Sequence, residues 1–394
     1  MRVLFVTGEY PPLVGGIGDY TRHLVQELVH LEIEVGVLTR RGATPTEKAA
    51  SGRAVTVFPE VERWRLPVLE LVRRRATGFD LVHLQYQAAA FDLGAAGPLM
   101  ADWLRWRGGP PVVVTFHDLR VPYLFPKAGP LRRAALRRMA RRAHAVVVTN
   151  AADAHQVRAW VGDAPSAPAV RVIPLGNNVP TALPADFDRQ AWRARWGVHP
   201  GEYLMVHFGL VNRSKGIPAL LRAHDRLLRA GLPVRLLFLG EPLGASDPTN
   251  AEHLREIEAL IAELNLGNGW TGWTGRLPPE EIAAGLAAAD VVVLPYQDGA
   301  SLRRTTLITA LAHGCAVVTT TPEAPIPLLQ PDHNVVFARR DDPGDLARRI
   351  ALVLRREDTR RRLARGAKQL APRFEWRAIA EQHRALYAHV LRRE

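Results

Sequence analysis

Short runs of β-branched and other apolar residues recur along the chain, each followed by a stretch of helical periodicity. They fall at Val3–Thr7, Val35–Thr39, Val55–Pro59, Leu81–Gln85, Val112–His117 and Val146–Thr149. Near-continuous apolar runs of this length are what strands need when both faces of a parallel sheet are covered by crossover helices. The rhythm pauses over the Pro- and Ala-rich stretch 179–188 and restarts at Tyr203–Phe208, Val234–Leu239, Asp290–Leu294 and Ala316–Thr320. The pattern predicts an α/β protein of two doubly wound, Rossmann-like domains, residues 1–180 and 198–372, with a C-terminal helical segment at 373–394. A chain of 394 residues is long enough for two ordinary cores. In the last segment, apolar Ile379, Ala380, Ala385, Leu386 and Val390 predict an amphipathic packing helix over Trp376–Val390. Sheets of this kind bind ligands beyond the carboxyl ends of their strands, so the residues after each strand are the ones to inspect, on the two lips of a cleft.

Composition narrows the function. The formal charge is +13, and only Lys48, Lys127, Lys215 and Lys368 are lysines, so the basic charge is almost all arginine. A lysine kept in such a background stands out, Lys215 most of all. The arginines are not interleaved with stacking aromatics, which argues against nucleic acid as a partner. The apolar runs are too short to span a membrane, and Met1–Thr7 is already strand-like, so a cytoplasmic protein is expected. Leu131–His144 carries six arginines opposite Leu136, Met139, Ala140 and Ala143. That basic amphipathic helix is either a solvated face or a peripheral contact with anionic lipid at the inner membrane face. Cys315 is the single cysteine, which excludes an intrachain disulfide and a thiolate metal cluster, and burial is expected for it.

Candidate chemistry begins just after the first strand, in Gly8–Tyr20, where Gly15, Gly16 and Gly18 precede or open a helix. Glycines allow close backbone approach, and free amides at a helix start favour a phosphate; the alternative is a tight turn. The third glycine of a dinucleotide fingerprint is missing and the second strand ends at Thr39-Arg40 rather than in an acidic residue, which disfavours a dehydrogenase. His117, followed by Asp118, sits at a strand end, where it either donates a hydrogen bond to a sugar hydroxyl or to developing charge, or ties down its own loop. Tyr20, Tyr86 and Asn150 are candidates for the acceptor side. Packing for Tyr86 and helix capping for Asn150 are the bland alternatives.

The densest signal is His207–Gly216, followed by the helical run Ile217–Arg229. Arg213 and Lys215 there can stabilise the negative charge that develops on a diphosphate leaving group. A second anion-binding element is expected in Tyr296–Thr306, where Ser301, Arg303, Arg304, Thr305 and Thr306 lead into a helix. Glu241, Arg276 and Leu277 are candidates to line a donor sugar or nucleoside. No aspartate pair stands where a divalent metal would be held, so neither a metal nor a cofactor is expected. Asp118 and Asp298 are reserve acids.

In their order, Gly15-Gly16-Ile17-Gly18, Thr115-Phe116-His117, Val172–Asn177 and Lys215-Gly216 resemble the motifs of the retaining family 4 glycosyltransferases of the GT-B fold, over essentially the full chain. The resemblance implies two Rossmann-like domains facing a cleft, with the C-terminal helix packing back toward the N-terminal domain. It also implies transfer of a hexose from a nucleoside diphosphate sugar to an acceptor hydroxyl, with retention at the anomeric carbon. The acceptor is a glycan, a glycolipid or a small molecule. Val172–Asn177 is similar to the strand before the linker. The chain departs from the family at Leu210, where an arginine is common, and Arg213 is the substitute expected there. It departs again at Ser301 and Thr309, which stand where the family has two glutamates near the donor sugar and the ribose. Those two positions motivate an alternative, a nucleotide-sugar-binding protein without transferase activity.

Overall fold

The computed structural model describes residues 1–13, 15–44, 46–48, 54–119, 129–242 and 248–393. They divide into two compact units, Met1–Gly176 with Glu375–Glu394, and Asn177–Phe374.

The first unit runs β1 (Arg2–Thr7), α1 (Gly16–His30), β2 (Glu34–Arg40), β3 (Thr46–Lys48), β4 (Ala54–Val61), α2 (Val68–Ala76) and β5 (Leu81–Tyr86). It continues with α3 (Ala96–Trp106), β6 (Val112–Phe116), α4 (Gly129–Arg142), β7 (Ala145–Val148), α5 (Ala151–Val161) and β8 (Ala169–Val172). Strand order is β3-β4-β2-β1-β5-β6-β7-β8, parallel except for β3. Side chains alternate across it. Leu4, Val6, Val82, Leu84, Val112 and Val114 pack under α2 to α5. Val3, Phe5, Leu81 and Val113 form the other core with α1 and the C-terminal helix.

The second unit runs α6 (Arg189–Arg195), β9 (Tyr203–Phe208), α7 (Ile217–Arg229), β10 (Val234–Leu239), α8 (Pro248–Glu263), β11 (Thr271–Trp273) and α9 (Pro279–Ala288). It continues with β12 (Val291–Leu294), α10 (Thr305–Ala312), β13 (Val317–Thr320), β14 (Val336–Ala338), α11 (Pro343–Arg355) and α12 (Glu357–Lys368). Its parallel strand order is β11-β10-β9-β12-β13-β14.

Three local expectations are corrected. No helix lies between β2 and β4 in the described residues: 41–48 holds one apolar residue, Ala43, and its Thr46–Lys48 end forms an antiparallel edge strand instead. The strand expected at Val172–Asn177 ends at Val172, where β8 pairs with the end of β7. In α13 (Trp376–Leu391), Ala385 is exposed while His383 and Tyr387 are buried beside Ile379, Ala380, Leu386 and Val390. The apolar stripe therefore includes two polar residues at helical spacing. This helix packs on α1, and a Cβ on Gly176 would lie 2.3 Å from Trp376 Cε2, so a side chain there would displace the indole.

In α4, Leu136, Met139 and Ala140 are buried as expected. Several of its arginines bond within the unit: Arg138 and Arg142 reach Asp102 at 2.8 and 3.0 Å, and Arg141 donates to the Trp160 carbonyl. Among the described residues no helix is long and apolar enough to cross a membrane.

Buried histidines make the fold acid-sensitive. Burial pushes His83 well down, and His207, His224 and His383 to about 4, all below the ordinary 6.5. The unfolded chain takes up these protons first as pH falls below 6.5, so stability is kept above that value and lost toward 4. Urea midpoints should accordingly drop between about pH 7 and pH 5, more steeply than carboxylate titration alone would give.

Candidate functional site

Both sheets reverse direction of winding at their centres, and ligand-binding residues collect at such switch points. In the first unit the switch lies between β1 and β5. Gly8 after β1 has no room for a side chain, since a Cβ there would meet the Ala90 carbonyl oxygen at 2.2 Å. No side chain caps the start of α1, whose N-cap is Gly15. The loop glycines are not equivalent. A Cβ on Gly15 would collide with the Glu9 carboxylate, 1.7 Å from Oε2, whereas one on Gly16 meets nothing within 4 Å. Gly15 thus makes room for an acid of the protein itself, and Gly16 is the glycine that faces open space. Burial raises the pKa of Glu9, opposed by the charge of Arg40. Glu9 was not singled out in the sequence; its signal was an acid two residues past a strand end. Val14 of the same loop lies outside the described residues.

His117 follows β6, and its backbone N–H donates to the Tyr86 carbonyl. Its Nε2 lies 2.7 Å from Gln85 Oε1, and Tyr20 meets its ring edge-on at 4.8 Å. Burial pushes its pKa down to about 3, so the ring is neutral. The three acceptor-side candidates take structural places. Tyr20 is buried between His117 and Trp376, and its hydroxyl has no hydrogen-bond partner in the described residues. Tyr86 is buried against Phe91 and Phe116 in the core under α3. Asn150 caps α5, accepting from Asp153 N at 2.9 Å and donating to the Asp153 carboxylate at 2.7 Å.

In the second unit the switch lies between β9 and β12, and the two loops that leave those strands meet there. Gln297 N donates to the Ser214 carbonyl at 3.0 Å and holds them together. Two glycines permit the approach. Gly209 has φ +121°, and a Cβ on it would lie 2.8 Å from Thr306 Cγ2 and 3.2 Å from Lys215 Nζ. Gly216 has φ +67°, and a Cβ there would sit 1.9 Å from the Pro295 carbonyl oxygen. Left-handed backbone with no lateral room is the situation only glycine tolerates.

Lys215 closes the short 3-10 turn Arg213–Lys215 and is buried. Its Nζ donates to Thr306 Oγ1 at 3.1 Å and lies 5.2 Å from the Tyr296 ring centre. The Arg304 guanidinium covers the same ring at 4.3 Å, donates to Ser214 Oγ at 3.2 Å and pairs with Asp298. Tyr296 Oη and Thr306 Oγ1 are 2.7 Å apart. Burial first, and the Arg304 charge second, bring the Lys215 pKa down to about 8. An ammonium and a guanidinium thus share one aromatic platform beside the start of α10, which no side chain caps.

Arg213 is not part of this cluster. It is 65% exposed and pairs with Glu256 at 2.7 Å, which His253 also holds. The second cation beside Lys215 is Arg304, brought from across the switch point. Arg213→Ala should therefore leave turnover within about threefold of the parent, since an exposed ion pair contributes little; steady-state kinetics check this. Arg303 is half-buried and Thr305 exposed, both at the entry to α10. Ser301 Oγ accepts from Arg303 N at 3.2 Å. Thr309, expected near the nucleoside, is only 2% exposed and donates to Asn177 Oδ1 at 3.0 Å, so its hydroxyl holds the entry to the second unit instead. Glu241 and Arg276 form an exposed pair at 3.2 Å, with Leu277 half-buried beside it.

Comparison with known proteins agrees with this architecture. Residues 15–176 match the glycosyl transferase 4-like domain, and residues 188–370 match glycosyl transferases group 1. The chain belongs to the family 4 glycosyltransferases of the GT-B fold. It is 28% identical over 397 residues to the D-inositol 3-phosphate glycosyltransferase of Nocardia farcinica, covering 93% of this chain and 83% of that protein. It is likewise 28% identical over 296 residues to the GDP-mannose-dependent alpha-(1-6)-phosphatidylinositol monomannoside mannosyltransferase of Mycolicibacterium smegmatis, covering 74% and 72%. Among solved structures, sucrose-phosphate synthase of Thermosynechococcus elongatus superposes with a TM-score of 0.77 at 22% identity over 100% of both chains. Anabaena HepE in complex with UDP and glucose gives 0.74 at 19% identity, over 98% of this chain and 99% of that one.

Proposed function

We propose that this glycosyltransferase moves a hexose from a nucleoside diphosphate sugar to an acceptor hydroxyl with retention of anomeric configuration. The observation that carries the reading is the pairing of Lys215 and Arg304 on Tyr296, with Thr306 bonded to both Lys215 and Tyr296, at the switch point of the second sheet. Breaking the bond from the anomeric carbon to the diphosphate leaves charge on phosphate oxygens, and two fixed cations in a partly desolvated site stabilise that charge as it develops. A bond from the acceptor oxygen to the same face of the anomeric carbon forms as the first one breaks. The acceptor's proton passes to the departing phosphate oxygen, so no protein nucleophile is required. Within the first unit, Gly16 and the uncapped start of α1 suit an anion, and His117 suits a sugar hydroxyl.

No metal belongs to this proposal. Lys215 and Arg304 supply the positive charge that a divalent cation brings elsewhere, so turnover is expected to persist undiminished in excess chelator. The acceptor class is a glycan, glycolipid or small polyol, in keeping with the inositol-based acceptors in the names of the two relatives.

A second reading, a nucleotide-sugar-binding protein without transfer, is favoured by Ser301 and by the engagement of Thr309 with Asn177. Incubation with a panel of nucleotide sugars, with and without candidate acceptors, separates the two. Nucleotide release that depends on Lys215 supports transfer. Saturable binding with no release from any donor supports the second reading.

A further inference from the structure

Behind His117 runs a buried polar chain. His83 and Gln85 alternate with apolar Val82 and Leu84 along β5, so both lie on the sheet face covered by α1 and α13, and Thr115 of β6 stands directly beside Gln85 in register. Gln85 Oε1 lies 2.7 Å from His117 Nε2, while its amide nitrogen is turned to His83, 3.3 Å from Nε2. His83 is fixed in turn by Thr115 Oγ1 at 2.7 Å and by Tyr387 Oη of α13 at 2.6 Å. His83, Gln85, Thr115 and Tyr387 are all fully buried. A hydrogen-bonded chain with no access to water holds one arrangement, because any member turned the wrong way strands a polar atom.

An amide oxygen only accepts, so the hydrogen of this contact belongs to His117 Nε2. A neutral imidazole carries one hydrogen, which leaves Nδ1 bare. We propose that Gln85 is a positioning residue that locks His117 in the Nε2–H tautomer, so that the imidazole meets the substrate as a hydrogen-bond acceptor and selects a hydroxyl over a phosphate oxygen. This reverses the donor role expected from the sequence. It rests on the reading that His117 lies at the substrate site, and it adds the tautomer, the residue that sets it and the direction of the hydrogen bond to the hydroxyl.

The test is nitrogen NMR of full-length protein labelled with 15N-histidine, with the His117 signals assigned by difference against His117→Gln. In the ligand-free parent, Nε2 should be protonated and Nδ1 bare, with no titration of His117 until the protein unfolds in acid. Gln85→Met, which keeps the bulk and removes the amide, should give a mixture of tautomers. It should also lower kcat/KM by about tenfold, and in the His117→Ala background it should add nothing beyond about twofold, because the two residues act as one unit. Gln85→Glu places a carboxylate against Nε2 and should move the His117 titration up toward neutrality, adding an acidic limb to the pH profile that the parent lacks. A parent spectrum showing the Nδ1–H tautomer overturns the proposal, as do additive losses in the double variant. If Gln85→Met fails to fold, the parent spectrum decides alone. The tautomer is read without substrate. Failure of the transferase reading, seen as an indifferent Lys215 variant, is therefore distinguishable from failure of this one.

Discussion

Replacing Lys215 with methionine is expected to lower turnover by about two to three orders of magnitude, the size of effect seen when one preorganised charge-stabilising donor is removed. Methionine keeps the apolar stem against Tyr296, and the hydrogen bond between Tyr296 and Thr306 survives, so no buried polar group loses its last partner. Circular dichroism and urea midpoints should stay close to those of the parent, which separates lost chemistry from lost fold. The same residue sets the pH dependence. Its folded pKa is lowered to about 8, so the free enzyme loses the ammonium as pH rises through that value. The profile of kcat/KM, which reports groups of the free enzyme, should therefore fall above pH 8 in the parent. That limb should be absent in Lys215→Met.

Arg304→Ala is the second large effect. Loss of the guanidinium removes one of two cations from the proposed leaving-group site and should cut turnover by about a hundredfold or more. It also acts on Lys215. Burial remains but the repulsion from Arg304 is gone, so the lysine pKa rises and the alkaline limb moves to higher pH, though not to the ordinary 10.5. A slower enzyme that stays active to higher pH is an unusual signature, and a merely destabilised variant would not show it. Arg304→Lys should fall between parent and alanine, because an ammonium cannot both lie flat on Tyr296 and reach Ser214 and Asp298 as the planar fork does.

The contrast between Arg304 and Arg213 shows where sequence reading ran out. Both arginines were visible, and Arg213 is two residues from Lys215 in the chain. Yet the 3-10 turn swings Arg213 out to Glu256, and the parallel pairing of β9 with β12 brings Arg304 in. Neighbourhood across a switch point is a property of strand order, and strand order is not written in local periodicity.

The strands divide the same way. All ten interior strands of the two sheets read clearly as apolar runs; nine are buried on both faces, while in β4 Thr56 is exposed between buried Val55 and Val57. The four that the rhythm missed, β3, β8, β11 and β14, are the four sheet edges among the described residues. β3, β8 and β11 are short and mixed in composition, and β14 is apolar but only three residues long, too short to stand out as a run. Buried polar residues were the other blind spot. His83, His383 and Tyr387 look like surface residues in a helix or strand pattern, and only their mutual contacts and the hydrogen bonds that satisfy His83 explain why they are inside. Glu9 was hidden for a different reason: its place beside Gly15 depends on the path of a loop.

The central claim, that Lys215 and Arg304 hold a diphosphate, is tested most directly by calorimetric titration of UDP, GDP and ADP against the corresponding monophosphates. The parent should bind at least one diphosphate tenfold or more tightly than its monophosphate, and both Lys215→Met and Arg304→Ala should erase that preference while leaving monophosphate binding nearly unchanged. Equal affinity of the parent for the diphosphate and monophosphate of every base, or a preference that survives both substitutions, would contradict it.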